Sequence, residues 1–175
     1  FKKFPMQTVW GMHNWPGLEV GKAAVHSGPV MASADGFKIT VLGKGGHAAI
    51  PQLASDPVPV AASIISGLQT LVSRNIDPVN SAVVSVTVIK AGTASNVIPD
   101  QVLMEGTCRS MHQEDRIKLE QGIKNISMNI AKASGLEAKV DYISGYPATH
   151  NTLQEASEAS VIAEEVLGID SVEKS

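Results

Sequence analysis

SAVVSVTVIK (Ser81–Lys90) and QVLMEGTCRS (Gln101–Ser110), joined by the short connection Gly92–Asp100, are the stretch whose reading decides the fold. Both ten-residue runs are rich in residues that favour a pleated, half-buried surface, the first in β-branched ones above all. The link between them is too short for a crossover, so the two strands are predicted to be antiparallel neighbours. Upstream, Asp56 is placed to cap a helix and Pro57 sits at its first position, where a missing N–H is harmless. That helix is predicted to run to about Ser73, with Val60, Ile64, Leu68, Leu71 and Val72 on one face. Before it, Phe37, Ile39 and Val41 alternate with Lys38 and Thr40, the period of a half-buried strand. Downstream, a second helix is expected from Gln113 to Ala133, capped by Ser110 or His112, with an apolar stripe of Leu119, Ile123, Ile126 and Ile130. Arg116, Lys118, Glu120 and Lys124 read as its solvated face. Gly135 is the expected stop, and Ala138–Ile143 the last strand. The order from Asp35 to Ser144 is therefore β-α-β-β-α-β. It predicts an α+β fold, a ferredoxin-like two-layer sandwich with four antiparallel strands and two helices on one face.

The flanks, 1–34 and 145–175, lie outside this pattern. Gln7–Met12 reads as a short buried strand, His13–Gly17 as a loop, and Lys22–His26 as another strand broken at Gly28-Pro29. The closing segment from Leu153 reads as a helix ended by Gly168. The chain opens and closes in mid-pattern, so a piece of a longer protein is expected.

With 43% hydrophobic residues but only 4% aromatics, the core must be aliphatic. A net charge of −3 and the lack of a basic stripe argue against nucleic acid and against a polybasic membrane patch. No apolar run is long enough to span a membrane, and the first residues do not form a signal peptide. The single cysteine, Cys108, rules out an internal disulfide and fits a reducing, cytoplasmic setting. It alternates with the apolar side of its strand and reads as a buried, inert thiol.

Five histidines are present, none in an HxxxH, HExxH or CxxC pattern. His47, in GKGGHAAIP (Gly43–Pro51), is displayed by a bare loop after a strand. An imidazole so placed can donate to a developing oxyanion, although a Gly-rich turn with an exposed His reads equally well. The glycines are expected to allow backbone conformations that other residues avoid and to admit another molecule closely. Arg109 shares a strand face with Leu103, Glu105 and Thr107. A guanidinium there can fork onto a carboxylate, while an exposed Arg, or one paired with Glu105, is the simpler local reading. Asn96 sits in a tight connection, where turn chemistry is the usual role. His112 reads as a cap or surface residue, Trp10 and Trp15 as packing anchors.

Taken in order, GMHNWPG, GKGGHAAIP, SDPV, the VSRN-DP run, NVIPD, GT-R and GYP resemble one family. The chain is similar to the bacterial and plant amidohydrolases related to hippurate hydrolase and indole-acetyl-amino-acid hydrolase, within the aminoacylase/carboxypeptidase metallopeptidase superfamily. The likeness runs from about Pro5 to Asn151. It implies a metal-binding catalytic domain with a ferredoxin-like lid inserted into it. Residues 1–34 would then end the first catalytic half, 35–144 form the lid and dimerisation domain, and 145–175 begin the second half. By the same likeness, His13 is a metal ligand and His47 the lid histidine that stabilises the tetrahedral intermediate in a neighbouring subunit. Asn96 and Arg109 hold the substrate, with Arg109 facing its carboxylate. The family's other metal ligands and its Glu general base match no residue of this chain. Two divalent ions (Zn, Mn, Co or Ni) are expected in the whole enzyme and none held by this piece alone. The implied partners are a second copy of the chain and an N-acyl amino acid, with no nucleic acid or membrane. A stand-alone dimerisation or small-molecule regulatory module is the alternative. A ferredoxin-like RNA binder is set aside, because the central strands lack aromatics.

Overall fold

The computed structural model describes residues 3–173, which form two units: Gly28–Asn151, and the flanks to either side of it. The strands are β1 (Ala23–Ala24), β2 (Gly28–Met31), β3 (Asp35–Leu42), β4 (Gly46–His47), β5 (Ala82–Ala91), β6 (Val97–Ile98), β7 (Gln101–Ser110), β8 (Glu137–Ile143), β9 (Thr149–Asn151) and β10 (Val172–Glu173). The helices are α1 (Pro57–Asn75), α2 (Gln113–Ala133) and α3 (Leu153–Leu167).

In the larger unit the main sheet has the order β5-β7-β3-β8, antiparallel throughout, with α1 and α2 packed on it. This is the ferredoxin-like arrangement expected from the element order. Period-two alternation sends Phe37, Ile39 and Val41 of β3 and Val102, Met104 and Cys108 of β7 to the helix side. There they meet Val60, Ile64, Leu68 and Leu71 of α1 and Leu119 and Ile123 of α2, all buried. The core is aliphatic apart from Phe37, as the composition required. Asp56 caps α1 by accepting from the Val58 N–H at 2.9 Å, and Gly135 follows α2 with φ +72°. The short pair β2 and β9 extends the unit outward from 35 to Gly28 and from 144 to Asn151. The smaller unit holds α3 and the parallel pair β1–β10.

Several local expectations fail for tertiary reasons. Gln7–Met12 forms no strand; its Trp10 and Met12 are exposed, because nothing in the unit pairs with it. Trp15 is exposed as well, so neither tryptophan anchors packing among the described residues. Gly28-Pro29 begins a strand rather than breaking one. Arg116 does not belong to a solvated face: its side chain is 15% exposed and ion-paired. Among the described residues no helix is long and apolar enough to cross a membrane.

Gly106 sits at the centre of β7, beside a register shift in β5 between Val86 and Val88. A Cβ there would lie 2.2 Å from the Phe37 ring and 2.3 Å from the Ser85 carbonyl oxygen. The ring is buried and the carbonyl is backbone, so neither can yield cheaply. We expect Gly106→Ala to destabilise the domain by roughly 1–3 kcal/mol, the usual cost of overpacking. Urea unfolding followed by circular dichroism measures this; a variant as stable as the parent would refute the tight contact.

Candidate functional site

The chain leaves β3 at Leu42 into the loop that carries His47. Two backbone contacts pin the loop's base: the Gly43 N–H donates to the Asp100 carbonyl at 2.8 Å, and Lys44 and Ser55 exchange a pair of bonds. At its tip, β4 pairs with β6, setting Gly46 opposite Ile98 and His47 opposite Val97. The Ala48 N–H donates to the Asn96 carbonyl at 2.9 Å. His47 and Asn96 are therefore brought together, both exposed.

The glycines act differently from expectation. Gly43, Gly45 and Gly46 all have ordinary φ. They are needed because the chain itself comes close: a Cβ on Gly43 would lie 2.3 Å from the Ser55 carbonyl oxygen, and one on Gly45 2.8 Å from the Ile98 carbonyl oxygen. Asn96 lies in a turn, as expected, closed by the Val97 N–H donating to the Ala94 carbonyl at 3.3 Å, but without the expected side-chain bond or left-handed backbone. No residue other than glycine has positive φ among the described residues, and the Asn96 side-chain amide makes no hydrogen bond there. That amide is available to a ligand.

The imidazole of His47 has a defined polarity. Its Nδ1 accepts from the Ala49 N–H at 3.1 Å, so in the neutral ring the proton sits on Nε2, which points its N–H away as a donor. His13, in the smaller unit, has the opposite arrangement. Its Nδ1 lies 2.6 Å from the Asn14 carbonyl oxygen, which can only accept, so Nδ1 carries the proton and Nε2 keeps a lone pair. That is the tautomer a metal-ligating histidine uses. It suits His13 as one ligand, but among the described residues no three ligating side chains converge.

Arg109 lies at the other end of the sheet. Leu42 pairs with Gln101 at the His47 end, and Asp35 pairs with Cys108 at the opposite one. At the antiparallel rise per residue, the two ends are about 25 Å apart. Nη1 of Arg109 donates to the carbonyls of Asp35 and Cys108, at 3.3 and 2.9 Å, and to Thr107 Oγ1. It is not paired with Glu105: all its acceptors are neutral, and they use Nη1 alone.

Under Arg109 lies a polar clamp that the sequence reading missed. The buried Asp35 carboxylate receives Arg116 Nε at 2.7 Å, Arg116 Nη2 at 2.6 Å and the Gly145 N–H at 2.9 Å. Burial by itself raises the carboxyl, and the bonds from Arg116 and Gly145 more than reverse this, leaving Asp35 below its ordinary value. Ser33 and Ser110 add a reciprocal pair beside it. The GYP motif at Gly145 was a signal of the clamp, but only the fold connects it to Asp35. Nearby, Cys108 is buried as expected, its Sγ 3.1 Å from the Tyr142 hydroxyl, and burial pushes the thiol up.

Gly28–Asn151 is thus a ferredoxin-like domain with His47 and Asn96 at one end of its sheet and Arg109 at the other. Residues 32–134 match the family described as peptidase dimerisation domain, of the M20 group. The chain is 45% identical over 158 residues to an N-acetylcysteine deacetylase of Bacillus subtilis, covering 89% of the chain and 42% of the relative. It is 39% identical to the hippurate hydrolase of Campylobacter jejuni, covering 96% and 44%. A solved Bacillus subtilis structure, described as a dinuclear metal-binding peptidase of the M20 family, superposes with a TM-score of 0.70 at 37% identity, covering 89% of the chain and 38% of that one. The chain belongs to the M20 family and contains its dimerisation domain. It spans about two fifths of the length of these relatives.

The depressed Asp35 makes the domain sensitive to acid. A carboxyl lowered on folding stabilises above its unfolded value, near about 3.9, and that contribution is lost as pH falls through the lower folded value. Removing one member of a buried pair costs about 3 kcal/mol at neutral pH. Asp35→Asn is therefore expected to lower stability by that order and to flatten the acid limb below about pH 4. Urea unfolding across pH measures both, and an unchanged acid limb in the variant would remove Asp35 from it.

Proposed function

We propose that the chain is the lid and dimerisation part of a metal-dependent hydrolase that cleaves the amide bond of N-acyl amino acids, with His47 delivered into the cleft of a second copy. The observation that carries this is the separation of the site residues. His47 and Asn96 meet at one end of the sheet, and Arg109 stands about 25 Å away by the strand rise. One small substrate cannot touch all three from a single chain. The names of the relatives, which act on N-acetylcysteine and hippurate, support the substrate class.

The surface supports how a second copy would solve this. From Pro57 to Ser73 helix α1 has no charged residue, and its outer stripe of Val58, Ala62, Ser66 and Thr70 is exposed. The neighbouring edge strand β5 exposes Val83 and Ile89. The opposite side is charged: Glu137, Lys139 and Asp141 line β8, and α2 carries Glu114, Lys118, Lys124 and Lys132. Charged edges resist pairing; β5 carries one charge, Lys90 near its end, against three on β8 between Glu137 and Asp141. Two copies joined by antiparallel β5 edges would form one continuous sheet about a two-fold axis. That pairing sets the Arg109 end of one copy beside the His47 end of the other, since β5 runs from the first end, at Ala82, to the second, at Ala91.

In this reading Arg109 forks onto the substrate carboxylate, and the Asn96 amide bonds its polar backbone. The Nε2–H of His47 donates to the oxygen on which charge develops as the amide carbon becomes tetrahedral. His13 would hold one of two divalent ions (Zn, Mn, Co or Ni), whose chemistry is to polarise the amide carbonyl and activate water. A cytoplasmic location belongs to the same reading.

The test is subunit complementation in the whole protein. His47→Ala and Arg109→Ala each lower turnover, the first by about 10²–10³. Mixed and allowed to exchange, the two inactive forms recover about one quarter of parental activity, because half the dimers are mixed and each has one intact site. No recovery despite verified exchange would place both residues in one chain's site. The interface is tested separately: Ala62→Glu with Ser66→Glu shifts the protein to monomer in analytical ultracentrifugation with helical content retained. A dimer of unchanged strength would exclude the α1–β5 face.

A further inference from the structure

We infer that Asp100 is a positioning residue for His47; the inference rests on the function proposed for that histidine. Asp100 closes the NVIPD motif immediately before β7, and it holds the His47 loop by two separate bonds. Its carbonyl accepts from the Gly43 N–H at 2.8 Å, and its Oδ1 accepts from the Gly45 N–H at 2.8 Å. A carboxylate acceptor makes the second bond stronger than a neutral one would. The loop fits closely around it, since a Cβ on Gly45 would lie 2.8 Å from that same Oδ1.

The Lys44–Ser55 pair and the Ala48–Asn96 bond hold the loop on either side, and Asp100 supplies the side-chain bond between them, at Gly45. β4 and β6 pair over only two residues each, Gly46 with Ile98 and His47 with Val97. Ile98 is buried and anchors β6, but β4 has no buried side chain of its own. Two residues above the Asp100 carboxylate, His47 takes its Nδ1 bond from the Ala49 N–H. That bond decides which nitrogen of the ring carries the outward proton. Asp100 thus fixes Gly45, Gly45 fixes the strand register of His47, and the register fixes where Nε2–H points relative to Asn96. The side chain is exposed and does not belong to the core, so its loss should leave the domain folded. Misplacing a catalytic group by a fraction of an ångström to an ångström lowers turnover by one to two orders of magnitude.

The experiment compares Asp100→Ala, Asp100→Asn, His47→Ala and the double variant Asp100→Ala/His47→Ala in the whole protein, with the same variants of this chain examined by NMR. Asp100→Ala is expected to lower kcat about tenfold with KM nearly unchanged and the melting temperature within a few degrees. Asp100→Asn keeps an Oδ1 acceptor and recovers most of the loss. The double variant is no slower than His47→Ala alone, because a positioning residue has nothing left to position. In the isolated chain, Asp100→Ala speeds exchange of the Gly45 amide about tenfold or more and shifts the His47 ring nitrogens. Two results overturn the inference: full turnover in Asp100→Ala while His47→Ala is impaired, or losses that multiply in the double variant. If His47→Ala itself is fully active, the proposed function fails, and the NMR comparison still decides separately whether Asp100 orients the ring.

Discussion

The Asp35 carboxylate, buried against the Arg116 guanidinium, joins three parts of the chain that are far apart in sequence. Asp35 opens the first strand of the main sheet, Arg116 lies in the first turn of α2, and Gly145 follows the last strand. Burying two charges is unfavourable unless geometry and added hydrogen bonds compensate. Here the pair is bidentate, Gly145 supplies a further donor, and Arg116 Nη2 also reaches the Gly145 carbonyl at 3.0 Å. The chain passes so close to itself that a Cβ on Gly145 would lie 1.9 Å from the Ala34 carbonyl oxygen. Only glycine fits. The Ala34 N–H bonds the Tyr146 carbonyl, which closes the two strands of the chain where it enters and leaves the sandwich.

With that end secured, the sheet acts as a stiff spacer between two polar regions. The clamp presents Arg109 on one side, and the far ends of β3 and β7 present the loops of His47 and Asn96. The Asp35 backbone carbonyl takes part in both tasks, since it accepts from Arg109 and from Thr107 Oγ1 while the carboxylate holds the helix. The stability of the domain and the placement of the Arg109 side chain are thereby coupled through one residue. At the other end the coupling is looser and depends on close backbone approach around glycine rather than on burial.

The two histidines of interest show how little chemistry is needed to separate roles. Each is exposed and each has one backbone neighbour at Nδ1. A carbonyl beside His13 leaves its Nε2 with a lone pair, and an amide beside His47 leaves the Nε2 of its neutral ring carrying the proton. The distribution of charge over the surface works in the same economical way. α1 carries no charge before Arg74 and β5 carries only Lys90, while β8 and α2 carry many charges.

Periodicity, capping and composition determined the order of elements, the aliphatic core and the two-layer fold, because each of these depends on near neighbours in the chain. Asp56-Pro57 set the start of α1, the alternation in Phe37–Val41 set the buried face of β3, and the spaced motifs pointed to His13, His47, Asn96 and Arg109. The sequence did not reveal that Arg116 is ion-paired and largely withdrawn from solvent, because helical charge reads as solvated until a partner is found eighty-one residues away. Nor did it reveal why Gly43, Gly45 and Gly106 are glycine, or that Gln7–Met12 has no strand to pair with. Tertiary structure alone decided which residues share an end of the sheet. It set His47 beside Asn96 and apart from Arg109, because strand register, a long-range property, fixes distances that spacing along the chain cannot express.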